Sequence, residues 1–141
     1  MEIKKAPARQ ADWRLQLAQY LAQVVRLKFQ PGAHDCALFA AGAVQAMTGT
    51  DLAADWRGSY RSLAAGRRAL EVAGFDSHVD LAASIFSEIA PAFAQAGDLA
   101  VMPGDAGSDA LGIIQGAHVY VLTPSGMALV NRLHIKRAFR I

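Results

Sequence analysis

His34-Asp35-Cys36-Ala37-Leu38-Phe39-Ala40-Ala41-Gly42-Ala43-Val44-Gln45-Ala46-Met47-Thr48-Gly49 is the stretch whose reading decides the fold. Asp35 is a natural N-cap, which places Cys36 in the first turn of a helix. The run from Cys36 to Thr50 carries no charge and almost no polar face. It is too short to span a bilayer, and a helix that is apolar all round is buried all round. Thr48-Gly49 closes it, since glycine adopts the left-handed conformation that ends helices. The small residues Ala40, Ala41, Gly42 and Ala43 permit close approach by neighbouring elements.

Working outward, Asp12 is the expected cap of an earlier amphipathic helix. Trp13, Leu17, Tyr20, Leu21, Val24 and Leu27 recur on one face and Gln16, Gln19 and Gln23 on the other, with an end near Lys28. After a loop over Asp51 to Gly58, a third helix is expected from Tyr60 to Val72, capped by Ser59. A short fourth is expected over Leu81 to Phe86. From Gly97 the pattern becomes extended: a strand at Leu99–Met102, a glycine-rich turn over Pro103–Asp109, a hairpin of Leu111–Ile114 with Val119–Leu122, then Met127–Val130 and Ile135–Ile141. Helices first and antiparallel strands last predict an α+β domain covering residues 1–141, with residues 1–10 as an extended arm.

The composition suits such a domain: 53% of the 141 residues are apolar and 18% charged, enough to offset the entropy of ordering. A net charge of +2 argues against nucleic acid as a partner. The basic group Arg132, His134, Lys136, Arg137 and Arg140 reads as the solvated side of a terminal strand. A single cysteine rules out an internal disulfide and any multi-thiolate metal centre; no cofactor or metal site is expected. No segment spans a membrane, and Met1–Gln10 lacks the apolar run of a secretory signal, so synthesis in a cytoplasm is expected.

A lone cysteine is more often a small buried hydrophobe than a nucleophile. Position alters the balance for Cys36. The first turn of a helix offers free N–H groups and the positive end of the macrodipole, which favour the thiolate and are expected to lower its pKa.

Asp35-Cys36-Ala37-Leu38-Phe39 at the head of a buried helix resembles the nucleophile motif of NlpC-type peptidases, a branch of the papain-like cysteine peptidases. Ala96-Gly97-Asp98-Leu99-Ala100-Val101 is similar to the Pro-Gly-Asp-Leu-Val-Phe of that family's first core strand. A narrower set of strings is similar to a family of tailed phages and prophages related to NlpC. They are Pro31-Gly32-Ala33-His34-Asp35-Cys36-Ala37-Leu38-Phe39, Met47-Thr48-Gly49-Thr50-Asp51, Arg57-Gly58-Ser59-Tyr60 and Ala110-Leu111-Gly112-Ile113. The resemblance implies a papain-like fold, with the Cys-bearing helix packed on a C-terminal antiparallel sheet. It implies tail-tip or baseplate proteins as partners, a place in the virion tail, and host peptidoglycan as the substrate of any activity.

The family's catalytic histidine precedes Val-Gly-Ile. Aligning that string with Leu111-Gly112-Ile113 puts Ala110 at the histidine position. A shifted register through His118-Val119-Tyr120-Val121 offers His118 instead, and His34, two residues before Cys36, is another candidate. His78 and His134 read as surface residues. The candidate site is therefore Cys36 and Asp35 with His118 or His34. Two functions compete: a tail protein using the fold as a packing module with a degenerate site, favoured by Ala110, and an active cysteine peptidase or amidase cutting peptidoglycan peptides during DNA delivery, favoured by Asp35-Cys36.

Overall fold

The structure, a computed structural model, describes residues 6–104 and 107–141. Its helices are α1 (Trp13–Val24), α2 (Cys36–Thr48), α3 (Leu63–Val72) and α4 (His78–Ile85). Its strands are β1 (Ser87–Ile89), β2 (Leu99–Pro103), β3 (Asp109–Gln115), β4 (His118–Thr123), β5 (Gly126–Asn131) and β6 (Arg137–Arg140). They form one antiparallel sheet in the order β1-β6-β2-β3-β4-β5. The expected α+β class is what the chain adopts. No helix among the described residues is long and apolar enough to cross a membrane.

The central helix forms for the reasons its sequence carries. Asp35 sits in an extended conformation and its Oδ1 accepts from the Leu38 amide at 3.0 Å. Gly49 ends the helix at φ +82°, and its N–H reaches the Gln45 carbonyl at 2.7 Å. Phe39, Ala43 and Met47 are wholly buried, and Gln45 alone on this helix is exposed. The helix lies between α1 and the sheet. Gly42 is where α1 comes closest: a Cβ there would lie 2.2 Å from the Tyr20 hydroxyl, which donates to the Phe39 carbonyl at 2.8 Å. On the other side Phe39 and Val44 share a core with Leu99, Val101, Leu111, Ile113 and Phe139. Each such side chain contributes about 1.5–3 kcal/mol by leaving water. The opposite sheet face buries a smaller cluster that includes Ala100, Met102, Ile114 and Val121.

Several boundaries differ from expectation. Asp12 makes no capping bond; its carboxylate accepts from Gln16 Nε2 at 2.9 Å. The third helix starts at Leu63 because Ser62, not Ser59, caps it, accepting from the Ala65 amide at 3.1 Å. Ser59 is spent on the Trp56 carbonyl at 2.6 Å. The fourth helix starts at His78, capped by Ser77, a turn earlier than the apolar pattern suggested. β1 forms where no strand was expected.

The expected last strand keeps Lys136 and Arg140 exposed, as its solvated side, but not Ala138 between them. It lies between β1 and β2, with Ala138 and Phe139 both wholly buried. Arg137 pairs with Glu88 at 2.8 Å and Lys136, just before β6, with Asp109 at 2.7 Å, while Arg140 is exposed. Of the expected N-terminal arm, residues 1–5 lie outside the described residues. Arg9 ties the remainder down by donating to the Ile141 and Ala96 carbonyls and pairing with Asp98. Residues 105–106 of the expected Pro103–Asp109 turn also lie outside.

Candidate active site

Cys36 occupies the first turn of α2, half-buried at the floor of a cleft of about 790 Å³. The walls are α3, α4, the loop carrying Trp56 and Tyr60, and the start of β3. Across the floor stands His78, the first residue of α4, with Nε2 3.5 Å from the Cys36 sulfur. A sulfur contact of that length is a hydrogen bond, and thiol and imidazole in such contact are the core of a nucleophile–base pair. Two helix starts thus face each other.

The remaining candidates take other places. His118 is exposed at the head of β4, opposite Gln115 across a two-residue turn. His34 is buried with its ring edge-on to Phe39, centroids 6.4 Å apart, and turned to the Val24 carbonyl. Neither touches the sulfur. Ala110 pairs with Met102 and packs with it on the far sheet face, so a histidine there would point away from the thiol. Leu111, one residue on, faces α2.

Asp35 acts on the site by holding it. Its carboxylate is buried, with Oδ1 on the Leu38 amide and Oδ2 accepting from the Gly32 amide at 3.0 Å and the Tyr60 hydroxyl at 2.5 Å. One side chain therefore caps the nucleophile's helix, fixes the loop before it and anchors the cleft wall.

Burial pushes the Cys36 thiol up to about 11, and the Asp35 charge pushes the same way. The backbone N–H groups of Leu111, Ala37 and Cys36 pull it down and do not prevail. The expected lowering by the helix start is thus reversed, because desolvation of a thiolate outweighs these few N–H groups. Burial also holds the His78 imidazole below its ordinary range, against the opposing charges of Asp35 and Asp109. Both shifts favour uncharged thiol and uncharged imidazole at neutral pH, and in the tautomer with Nδ1 protonated Nε2 accepts from the thiol.

A signal for the helix start at His78, though not for its pairing with Cys36, was present in the sequence. Ser77-His78-Val79-Asp80 is a Ser-x-x-Asp helix start, which puts His78 at the head of a helix with its side chain beside the cap.

A family model described as "Domain of unknown function (DUF6950)" matches residues 8–141. The chain belongs to this family. The match takes in every element from α1 to β6, and so both members of the Cys36–His78 pair. No curated protein matches the chain. Chemically, this DUF6950 chain holds a thiol, an imidazole within reach and the Cys36 and Ala37 amides of a helix start around one point of a mostly apolar cleft. That is a set suited to attack on a carbonyl carbon.

Proposed function

We propose that this protein is a thiol-dependent hydrolase of peptide amides, with Cys36 as nucleophile and His78 as general base. The observation that carries the reading is the 3.5 Å contact between Cys36 Sγ and His78 Nε2 on the cleft floor. His78 takes the thiol proton as sulfur attacks the carbonyl. The amides at the start of α2 stabilise the oxyanion, and the His78 imidazolium returns the proton to the leaving amine. Water then cleaves the thioester, with His78 again as base. Because both groups rest uncharged, proton transfer accompanies attack instead of preceding it.

The alanine at position 110 was the ground for a degenerate site. His78 supplies an imidazole from another element and removes that ground. The resemblance to phage-tail relatives of NlpC supports peptide stems of peptidoglycan as the substrate and the virion tail as the place of action. The competing reading, a packing module without catalysis, is favoured by one observation: a thiol pushed up to about 11 is a poor resting nucleophile.

Incubation with peptidoglycan fragments separates the two. Release of product by wild type, lost in Cys36→Ser and in His78→Ala, supports the hydrolase. Absence of release, with tail proteins added, supports the packing module. Mass spectrometry of purified virions tests the tail assignment, and absence of the protein there rejects it.

A further inference from the structure

We propose that Asp109, itself held by Lys136, is the positioning residue that supports positive charge on the His78 imidazole during proton transfer. The inference rests on reading Cys36 and His78 as a reactive pair. Asp109 opens β3, on which α4 packs, and lines the same cleft as both. Alternation along β3 sets Asp109 on the face of Leu111 and Ile113, which pack toward the helices.

The charged and titratable groups around His78 can be taken element by element. From α2 come Cys36 and, at its cap, Asp35; from the cleft wall come Tyr60, which is bonded to Asp35, and Arg67 of α3; from the turn before α4 comes Asp76, and from α4 itself Asp80, both exposed to solvent. From β6 comes Arg137, which is paired with Glu88. Asp35 is saturated by the Gly32 amide, the Leu38 amide and the Tyr60 hydroxyl. Asp109 is different: Oδ1 accepts from Lys136 Nζ at 2.7 Å, and among the described residues Oδ2 has no hydrogen-bond partner. The Asp35 charge acts on the sulfur and also, ahead of Asp109, on His78, whereas the charge of Asp109 acts on His78 and not on the sulfur.

This division has a chemical consequence. A carboxylate beside the thiol opposes thiolate formation, while one beside the imidazole favours protonation of the base. Asp109 does the second without the first. When Nε2 accepts the thiol proton, Nδ1 already carries one, and the imidazolium gains from the carboxylate across the cleft. Lys136 tempers that effect by sharing the charge.

The test is the His78 imidazole titration, followed by nitrogen-resolved NMR on the full-length protein. It is measured in wild type, Asp109→Asn, Lys136→Met and Asp80→Asn. The expected midpoint falls in Asp109→Asn, rises in Lys136→Met and stays in Asp80→Asn. Alkylation of Cys36 near neutral pH is expected to slow roughly two- to fivefold in Asp109→Asn, the size that a fraction of a pKa unit gives. An unmoved midpoint in Asp109→Asn, or an equal fall in Asp80→Asn, overturns the assignment. Because the midpoint is read on the resting protein, it stands apart from hydrolysis. Hydrolysis with an unmoved midpoint rejects Asp109 alone. Shifted midpoints without hydrolysis reject the enzyme while keeping the Asp109–His78 coupling.

Discussion

Gly32 and Tyr60 are in such close approach that a Cβ on Gly32 would lie 1.8 Å from the Tyr60 carbonyl oxygen. The Gly32 carbonyl accepts from the Gly58 amide at 2.8 Å, and Gly32 holds φ +83°. The loop that leads into Cys36 is thus stitched to the wall of its cleft, with Asp35 bonded to both sides of the seam.

Gly32→Ala is expected to be costly on two counts, backbone clash and a left-handed conformation that alanine resists. A loss of about 2–4 kcal/mol by urea unfolding is expected, in the range of strain combined with overpacking. Tyr60→Phe removes only the hydroxyl from a bond to a carboxylate. A smaller loss of about 1–2 kcal/mol is expected, since Tyr60 is only partly buried. A Gly32→Ala variant as stable as wild type would contradict the described seam.

Alkaline pH is expected to weaken the fold through Cys36. The folded thiol sits at about 11 against an ordinary 9.0, because burial favours the neutral form. The raised value means the contribution is complete below the unfolded pKa and is lost as pH rises through the folded one. The stability difference between wild type and Cys36→Ser should therefore move against wild type between about pH 9 and 11. A difference constant across that window would show that the thiol is not desolvated.

Acid acts through the histidines. His34 and His78 are both held below the ordinary 6.5, chiefly by burial. A lowered folded pKa means the stabilisation is present above 6.5 and is lost as pH falls through the folded values. His34→Gln and His78→Gln should each flatten the fall of unfolding free energy on the acid side, and the double variant more so. Unchanged slopes would place the lost stability on carboxylates instead. Among the described residues Nε2 of His34 is buried without a hydrogen-bond partner, which adds to the cost of charging the ring there.

The sequence made α2 legible because cap, apolar run and closing glycine all point to one element. The Asp35–Leu38 bond and the left-handed Gly49 are the two ends foreseen. The base was not legible. His78 lies 42 residues from Cys36, and a pair so separated is made by the packing of α4 on β3, which no spacing along the chain records. The apolar pattern starts only at Leu81, which hid the first turn of α4. β6 was misread for a related reason. Alternation suggests one wet face, but an inner strand covered on both sides buries Ala138 as well as Phe139.

The decisive prediction concerns which histidine serves Cys36, and wild type is compared with Cys36→Ser, His78→Ala, His118→Ala and His34→Ala. Two readouts are needed: product release from peptidoglycan fragments, and the pH dependence of Cys36 alkylation. Cys36→Ser is expected to abolish release, since a hydroxyl is far less readily deprotonated by the same imidazole. His78→Ala is expected to lower release by about 100-fold or more, the usual size of a lost general base. His118→Ala should leave both readouts unchanged, because that side chain is exposed at the turn between β3 and β4. His34→Ala should lower stability through the cavity left beside Phe39 and leave the rate per folded molecule close to wild type. In wild type the alkylation rate should carry an inflection set by His78 in addition to the thiol's own rise, and His78→Ala should lose that inflection alone. Should release survive His78→Ala and vanish in His118→Ala, the sulfur's working partner would be His118, and the resting contact across the cleft floor would have no part in the chemistry.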